Sequence, residues 1–186
     1  MTAKIEFDGK QYELPVVVGS ENEHAVDISS LRSTSGGLIT LDRGFKNTGS
    51  CESAITFLNG EKGILRYRGY SIEDLAANAS FLEVSYLLIF GELPSQSELD
   101  KFHQDIKEES HVDEEMKKIL DGFPRSAHPM GVVSSLTSAL IAFNPTSVDV
   151  NSEEEMYKSI VKLLAKFPVL CAWALRKRTG QPLDYG

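Results

Sequence analysis

The chain has 186 residues, of which 41% are hydrophobic and 25% charged, a composition typical of a soluble globular protein with one core and a small appendage. Its net charge of −8 disfavours binding to nucleic acid and to anionic membranes. Cys51 and Cys171 are far apart and are expected to be buried free thiols in a reducing cytoplasm, since the first residues show neither a secretion signal nor an import leader.

Residues 1–50 are predicted to form a small β-rich segment. Four short stretches have strand-like composition: Ile5–Phe7, Tyr12–Leu14, Val26–Ile28 and Leu38–Leu41. The first two flank Asp8-Gly9, which predicts a hairpin, and a loop over Ser33–Gly37 joins the last two. The glycine pair in that loop is interpreted as a turn, because no Gly-x-x-x-x-Gly-Lys-Ser/Thr phosphate loop follows.

Residues 51–186 are predicted to contain a second hairpin and then helices. Two arms rich in β-branched and aromatic residues flank Asn59-Gly60, a dipeptide that favours the positive φ angles of a tight hairpin turn. Immediately after the hairpin, Ser71 is predicted to cap a helix whose first turn carries Glu73 and Asp74.

Serine capping boxes and helix-ending residues divide the rest of the chain. The boxes are Ser80–Glu83, Ser95–Glu98 and Ser152–Glu155. Gly91 is expected to end one helix, Pro124 to follow a short one, and Pro168 to kink or end another. A last helical run carries Trp173 and finishes on Arg176–Arg178. The predicted fold class is therefore mainly α, preceded by the small β segment.

One predicted helix, Pro129–Phe143, lies in a stretch without a fixed charge, residues 126–148. A helix that is apolar nearly all round is expected to be buried on every side. It is too short and too rich in Ser and Thr to span a bilayer. Part of its cover is therefore expected from a second subunit or from further chain.

Six motifs in the second segment are informative together: Cys51–Phe57, Gly63–Leu75, Asp121–Pro124, Ala127–Met130, Leu163–Pro168 and Gly180–Pro182. They resemble the first part of a bacterial citrate synthase. The resemblance covers essentially the whole chain. It implies a helical fold with a small N-terminal β segment, and an obligate homodimer or a trimer of dimers in which the helix resembling Pro129–Phe143 lies at the subunit interface. It also implies condensation of acetyl-CoA, a substrate and not a bound cofactor, with oxaloacetate and water to give citrate and CoA.

The resemblance assigns no catalytic residue to this chain. The family uses an aspartate to deprotonate the acetyl-CoA methyl group, one histidine to stabilise the enolate and another to polarise oxaloacetate. All three lie in the second half of a chain more than twice as long, and none of their motifs occurs before Gly186. The sequence therefore resembles an N-terminal portion, which we expect to be inactive by itself.

Other roles for polar side chains remain open at this stage. The histidines lack metal-ligand spacing: His24, His103, His111 and His128. His111 is interpreted as part of a solvated charged patch. His128 is either an acid or base, or, as the simpler alternative, a hydrogen-bonded residue at a buried helix start. The sequence indicates no base near either cysteine that would activate it as a nucleophile. No metal or cofactor site is predicted.

Two groups of cations are candidates for anion binding. Arg66 and Arg68 are expected to share one strand face and either to hold a carboxylate or CoA phosphate or, more simply, to pair with Glu or Asp. Arg176–Arg178 either hold a CoA phosphate or complement the negative end of their helix.

The sequence also bears on regulation. Some citrate synthases that resemble this chain bind inhibitory NADH through an Arg-His pair and a Tyr, which align here with Glu108-Glu109 and Asn144. Because two carboxylates repel the phosphates of a dinucleotide, NADH inhibition through this site is predicted to be absent. Two alternatives to citrate synthase stay open, a 2-methylcitrate synthase using propionyl-CoA and a non-enzymatic helical dimerisation module.

Overall fold

The computed structural model describes residues 1–143 and 149–183. It separates into two compact units, Met1–Ala54 and Ile55–Gly186, whereas the boundary predicted from the sequence follows Ser50. The mainly helical fold with a small N-terminal sheet confirms the predicted fold class.

The first unit is built on an antiparallel sheet in the order β1-β2-β3: β1 Thr2–Phe7, β2 Lys10–Val18 and β3 His24–Val26. The predicted hairpin is confirmed at Asp8 and Gly9, whose φ angles of 52° and 71° match the right-handed twist of the strands. Leu14 on β2 and Leu31 on the short helix α1, Leu31–Ser35, are almost fully buried.

Two predictions for this unit are wrong, and a third is displaced, because the strand predicted at Val26–Ile28 lies at His24–Val26. Residues Ser33–Ser35 belong to α1, which Gly36 caps with φ 75°, and so only the end of the predicted loop is a turn. Leu38–Leu41 is not a strand: Ile39 and Leu41 are largely exposed. Strand-like composition did not suffice there, because no strand among the described residues pairs with the segment.

The second unit begins with three short antiparallel strands: β4 Thr56–Asn59, β5 Ile64–Tyr67 and β6 Tyr70–Ser71. The predicted second hairpin is confirmed by the antiparallel pairing of β4 with β5, but a tight turn at Asn59-Gly60 is wrong, because Asn59 ends β4 and pairs with Ile64 across the loop 60–63. The Asn59 side chain accepts a hydrogen bond from Lys62 N at 3.0 Å. The two-residue turn with positive φ lies instead between β5 and β6, at Arg68 and Gly69.

The helices that follow are α2 Ile72–Asn78, α3 Phe81–Phe90, α4 Gln96–Glu108, α5 Met116–Asp121, α6 Pro129–Phe143 and α7 Glu153–Thr179. The serine N-caps are confirmed: Ser71, Ser80, Ser95 and Ser152 each accept from a backbone N–H three residues on. Reciprocal capping boxes form at Ser80 and Ser95 but not at Ser152.

Helix α7 passes through Pro168 without ending. A proline inside a helix removes one backbone hydrogen bond. Residues on both sides of it, Ala165, Leu170 and Trp173, are buried, and this burial holds the helix together across the missing bond.

The main core joins α5, α6 and α7: Val112, Met116, Leu120, Val132, Val133, Leu136, Leu140, Leu170, Trp173 and Ala174. A second, aromatic cluster joins α3, α4 and α7 through Tyr86, Phe90, Phe102 and Tyr157, whose rings meet at tilted or edge-to-face angles. These two clusters hold together the helices that carry most of the candidate functional residues.

Candidate functional site

Helix α6, the candidate subunit interface, has two different faces. Val132, Val133, Leu136 and Leu140 are buried against α5 and α7. On the other side, Met130 and Ile141 are 65% and 77% exposed. α5 and α7 cover only one face of α6 in the single chain, so cover of the other face by a second subunit or by further chain stays a prediction.

Three hydroxyl groups of α6 are bonded within the helix. Ser134 and Ser135 donate their hydroxyls to the carbonyl of Gly131, the latter at 2.8 Å, and Thr137 donates to Val133 O at 2.8 Å. A hydroxyl that is satisfied by its own helix leaves no unpaired donor when another surface covers it. The exposed face is uncharged, and its Ser134 and Ser135 hydroxyls would keep their partners if another surface covered them.

His128 stands at the start of α6. Its Nδ1 accepts a hydrogen bond from Met130 N at 3.3 Å, and its carbonyl accepts from Val132 N at 3.2 Å. The hydrogen-bonded role predicted as the simpler alternative is present, but the residue is exposed and not buried as expected. The imidazole thus accepts from one N–H group that the start of the helix leaves without an intrahelical partner, which is a structural role.

Lys166 is the one buried charged residue in the described chain, with 7% of its surface exposed. Its ammonium group donates to Glu109 O and His111 O, both at 2.7 Å, and lies 3.5 Å from the Glu109 carboxylate. It thereby ties α7 to the connection between α4 and α5. A cavity of about 380 Å³ opens beside it, lined by His111, Asp113, Glu114, Leu140, Phe143 and Lys166.

The aligned pair Glu108-Glu109 has distinct local partners. Glu108 accepts a hydrogen bond from Gln104 Nε2 at 2.8 Å, and Glu109 faces Lys166. The wall of the cavity beside Lys166 carries two further acidic side chains, Asp113 and Glu114. The third aligned position, Asn144, lies outside the described residues.

Arg66 and Arg68 do not share a strand face, which corrects the sequence prediction. Arg66 lies in β5, opposite Phe57 and Ser71. Arg68 follows the strand with φ 49°, and its Nη2 donates to Leu88 O near the end of α3 at 2.9 Å. Its partner is a backbone carbonyl and not the predicted carboxylate, and its buried Nε has no hydrogen-bond partner among the described residues.

The cations at the end of α7 are bonded to nearby chain. Arg176 Nη1 donates to Pro182 O at 3.0 Å, and Lys177 Nζ contacts Asp121 O and Oδ1 at 3.1 and 2.9 Å. Arg125 lies over Gly180, where an added Cβ would come 2.9 Å from its Nη1. Cations around a helix C-terminus compensate its negative end, so this geometry favours the structural interpretation over a phosphate site.

The other candidate residues are dispersed. His24 lies in β3, His103 in α4 and the exposed His111 after α4. Both cysteines are free, but Cys51 is exposed, against the prediction of burial, while Cys171 packs partly buried against the core. Within residues 1–143 and 149–183, no group of three His, Cys, Asp or Glu side chains could hold a metal ion.

Sequence reasoning missed a cluster between α4 and α7. The Tyr157 hydroxyl donates to Asp105 Oδ2, which Lys101 Nζ also contacts at 2.8 Å. Lys101 Nζ lies 5.2 Å from the centre of the Tyr157 ring. Hydrogen bonds from Lys101 and then from Tyr157 lower the pKa of Asp105, and burial followed by the bond to Asp105 raises the pKa of Tyr157.

The family model described as "Citrate synthase, C-terminal domain" matches residues 44–185. The chain belongs to the citrate synthase family. It is 43% identical over 183 residues to the citrate synthase of Corynebacterium glutamicum, an alignment covering 98% of this chain. It is 40% identical over 184 residues to citrate synthase 1 of Mycobacterium tuberculosis, covering 99%. The chain spans 42% of the length of each of these relatives.

Solved citrate synthases have a similar fold. The Thermotoga maritima structure matches 77% of this chain and 36% of its own, with a TM-score of 0.64 and 26% identity. The Pyrobaculum aerophilum structure matches 98% of this chain and 42% of its own, with a TM-score of 0.65 and 24% identity. The structure from Thermoplasma acidophilum, a ternary complex with carboxymethyl coenzyme A and oxaloacetate, covers 78% and 38% with a TM-score of 0.66 and 22% identity.

Family membership confirms the resemblance drawn from the motifs and gives no support to the two alternatives. Among the described residues, none of the helices combines the length and the apolar character needed to cross a membrane.

Proposed function

We propose that the protein carrying this chain is a cytoplasmic citrate synthase, which condenses acetyl-CoA with oxaloacetate and water to give citrate and CoA. Within it, these residues supply the first part of the helical scaffold and no catalytic side chain. The supporting observation is the 40–43% identity to two curated citrate synthases along almost the whole chain. Two free cysteines accord with a reducing compartment.

A thiol-release assay tests this proposal. Full-length protein, including whatever sequence follows residue 186 in its gene, is expected to release CoA from acetyl-CoA only when oxaloacetate is present. Residues 1–186 alone are expected to release none, because they hold none of the family's catalytic motifs. Faster release from propionyl-CoA would instead identify a 2-methylcitrate synthase, and turnover by residues 1–186 would contradict the assignment of catalysis to other residues.

The exposed face of α6 supports a homodimer. The Ser134 and Ser135 hydroxyls on this face are bonded within the helix, and its exposed Met130 and Ile141 side chains are apolar. Ile141→Glu is expected to convert dimer to monomer in sedimentation velocity, because the charge would be buried without a partner. Glu153→Gln, on an exposed part of α7, is the control and should leave the dimer intact. A dimer that tolerates Ile141→Glu would place the interface elsewhere.

The acidic wall near Glu108-Glu109 supports the absence of NADH inhibition through this region. Among the described residues, the only ammonium group lining the cavity belongs to Lys166, which already donates to two carbonyls. NADH is therefore expected not to inhibit the full-length enzyme in steady-state kinetics. Tight NADH binding that Glu108→Ala abolishes would show the proposal to be wrong.

A further inference from the structure

The outer edge of β1 is an open backbone edge with a defined hydrogen-bonding pattern. Within the described residues, the sheet order leaves β1 paired on one side only. Val16 N donates to Met1 O at 3.1 Å, and Pro15, which has no N–H, stands opposite Thr2. Since hydrogen-bonded pairs alternate along an antiparallel ladder, the backbone groups of Thr2, Lys4 and Glu6 point away from β2.

The side chains of β1 divide between two faces. Ala3 and Ile5 are partly buried with the inner face of β2, and Phe7 on the same face is 49% exposed. Lys4 and Glu6 lie on the other face and are exposed. Lys4 already pairs with Glu13 of β2 at 2.9 Å.

We propose that β1 is a docking edge for the β1 strand of a second copy of this chain, paired antiparallel about a two-fold axis at Ile5. The outward-facing backbone groups allow axes at Ala3, Lys4, Ile5 or Glu6. An axis at Lys4 places Lys4 opposite itself, and an axis at Glu6 places Glu6 opposite itself, which is destabilising. An axis at Ala3 leaves Glu6 outside the paired region.

The axis at Ile5 satisfies both faces of the strand at once. On the polar face, each Lys4 lies opposite Glu6 of the other copy, so that a row of alternating charge runs Glu13–Lys4–Glu6 across the joined sheets. On the apolar face, Ile5 meets Ile5 and the half-exposed Phe7 covers Ala3. The contact is isologous and closes after two copies.

This edge lies in the unit formed by residues 1–54 and involves no residue of α6. The inference therefore does not depend on the proposed reaction or on the proposed α6 dimer. Where both contacts form, they join copies through two separate surfaces.

Cysteine cross-linking tests the register. Opposed residues of a non-hydrogen-bonded antiparallel pair have Cα atoms about 4.5 Å apart, within the range of a disulfide. In a Cys51→Ser background, Ile5→Cys is expected to give a covalent dimer on mild oxidation, in which mass spectrometry identifies a disulfide joining the two substituted positions. Lys4→Cys is the matched control and should not cross-link. Equal cross-linking of both variants, or of neither, would overturn the proposal.

A charge-reversal series gives a second readout that does not depend on oxidation or on a change at Ile5. Glu6→Lys faces neutral Gln11 in its own chain and Lys4 of the partner subunit, so it should weaken this association at least about tenfold in sedimentation equilibrium. Adding Lys4→Glu and Glu13→Lys restores opposite charges at every position and should restore association. Association that Glu6→Lys leaves unchanged, or that the triple variant fails to recover, would contradict the strand pairing.

Discussion

Lys166 shows how one buried cation organises a helix junction. Its two 2.7 Å bonds satisfy carbonyls of the connection between α4 and α5, one of them at the C-cap of α4, and α7 carries the cation to them through an otherwise apolar run. The sequence did indicate a buried cation here, because Lys166 stands between the apolar residues Ala165 and Phe167. Its partners could not be predicted, because they are main-chain groups more than fifty residues earlier.

Replacing this lysine should measurably weaken the fold. Lys166→Met removes charged donors from two carbonyls, and we expect a loss of about 2 kcal/mol in the free energy of unfolding, partly offset by the desolvation cost that the lysine no longer incurs. Urea denaturation followed by circular dichroism measures it. Lys162→Met, one turn earlier on α7, is the control, and an equal loss in both variants would contradict the special role of Lys166.

The carboxylate of Asp105 should make stability fall in acid. Hydrogen bonds from Lys101 and Tyr157 lower its folded pKa, so its contribution is present above the unfolded pKa of about 3.9 and is lost as pH falls through the folded pKa. Asp105→Asn should flatten the fall of the urea midpoint below about pH 4. Asp100→Asn, on the same helix, should retain it. If the urea midpoints of Asp105→Asn and of the unsubstituted protein fell in parallel with pH, this prediction would be wrong.

At the scale of elements, the helices were more predictable than the turns. Serine caps at residues 71, 80, 95 and 152 depend on local hydrogen bonds that a short sequence pattern specifies. The hairpin turns depend on strand register, which side-chain packing sets. Thus Asn59-Gly60 has the favoured turn sequence, but the pairing of Asn59 with Ile64 moves the turn along the chain.

In the candidate site, too, contacts between neighbouring residues were predictable from the sequence and contacts between distant residues were not. The capping role of His128 was predictable, since its contact lies two residues away. The Tyr157–Asp105 bond was not, because it joins residues on α4 and α7. Pro168 favours a helix end locally, yet buried neighbours on both sides override that preference.

Substitution of two glycines, Gly60 and Gly69, tests where the tight turn of this sheet lies. Gly69 has φ 92°, whereas Gly60 does not have a positive φ, and a Cβ at either would have open space. Gly69→Ala should therefore cost about 1–2 kcal/mol of unfolding free energy. Gly60→Ala should be neutral or slightly stabilising. Thermal or urea denaturation decides, and a larger loss for Gly60→Ala would restore the turn predicted from the sequence.

At the scale of the whole molecule, this chain exposes more apolar side-chain surface along its helices than a self-contained domain normally does. Met156, Leu163 and Phe167 on α7 are 43%, 49% and 45% exposed, and they follow one another along one side of the helix. Together with the outer face of α6 they leave apolar area exposed that a globular protein normally covers. The curated relatives have chains of more than twice this length within which to cover such faces.

Residues 1–186 expressed alone should therefore bind a hydrophobic dye and associate. Leu163→Glu combined with Phe167→Glu should lower both the fluorescence of anilinonaphthalene sulfonate and the fraction in large species, because it removes apolar area from the exposed stripe. Lys162→Glu lowers the net charge of the same helix by the same two units but leaves Leu163 and Phe167 in place, and so should change dye binding little. Placed in full-length protein, the double substitution should instead lower the thermal midpoint, since buried carboxylates lack partners there. Weak dye binding by residues 1–186, unaffected by the double substitution, would mean that this stripe is not an exposed hydrophobic surface in solution.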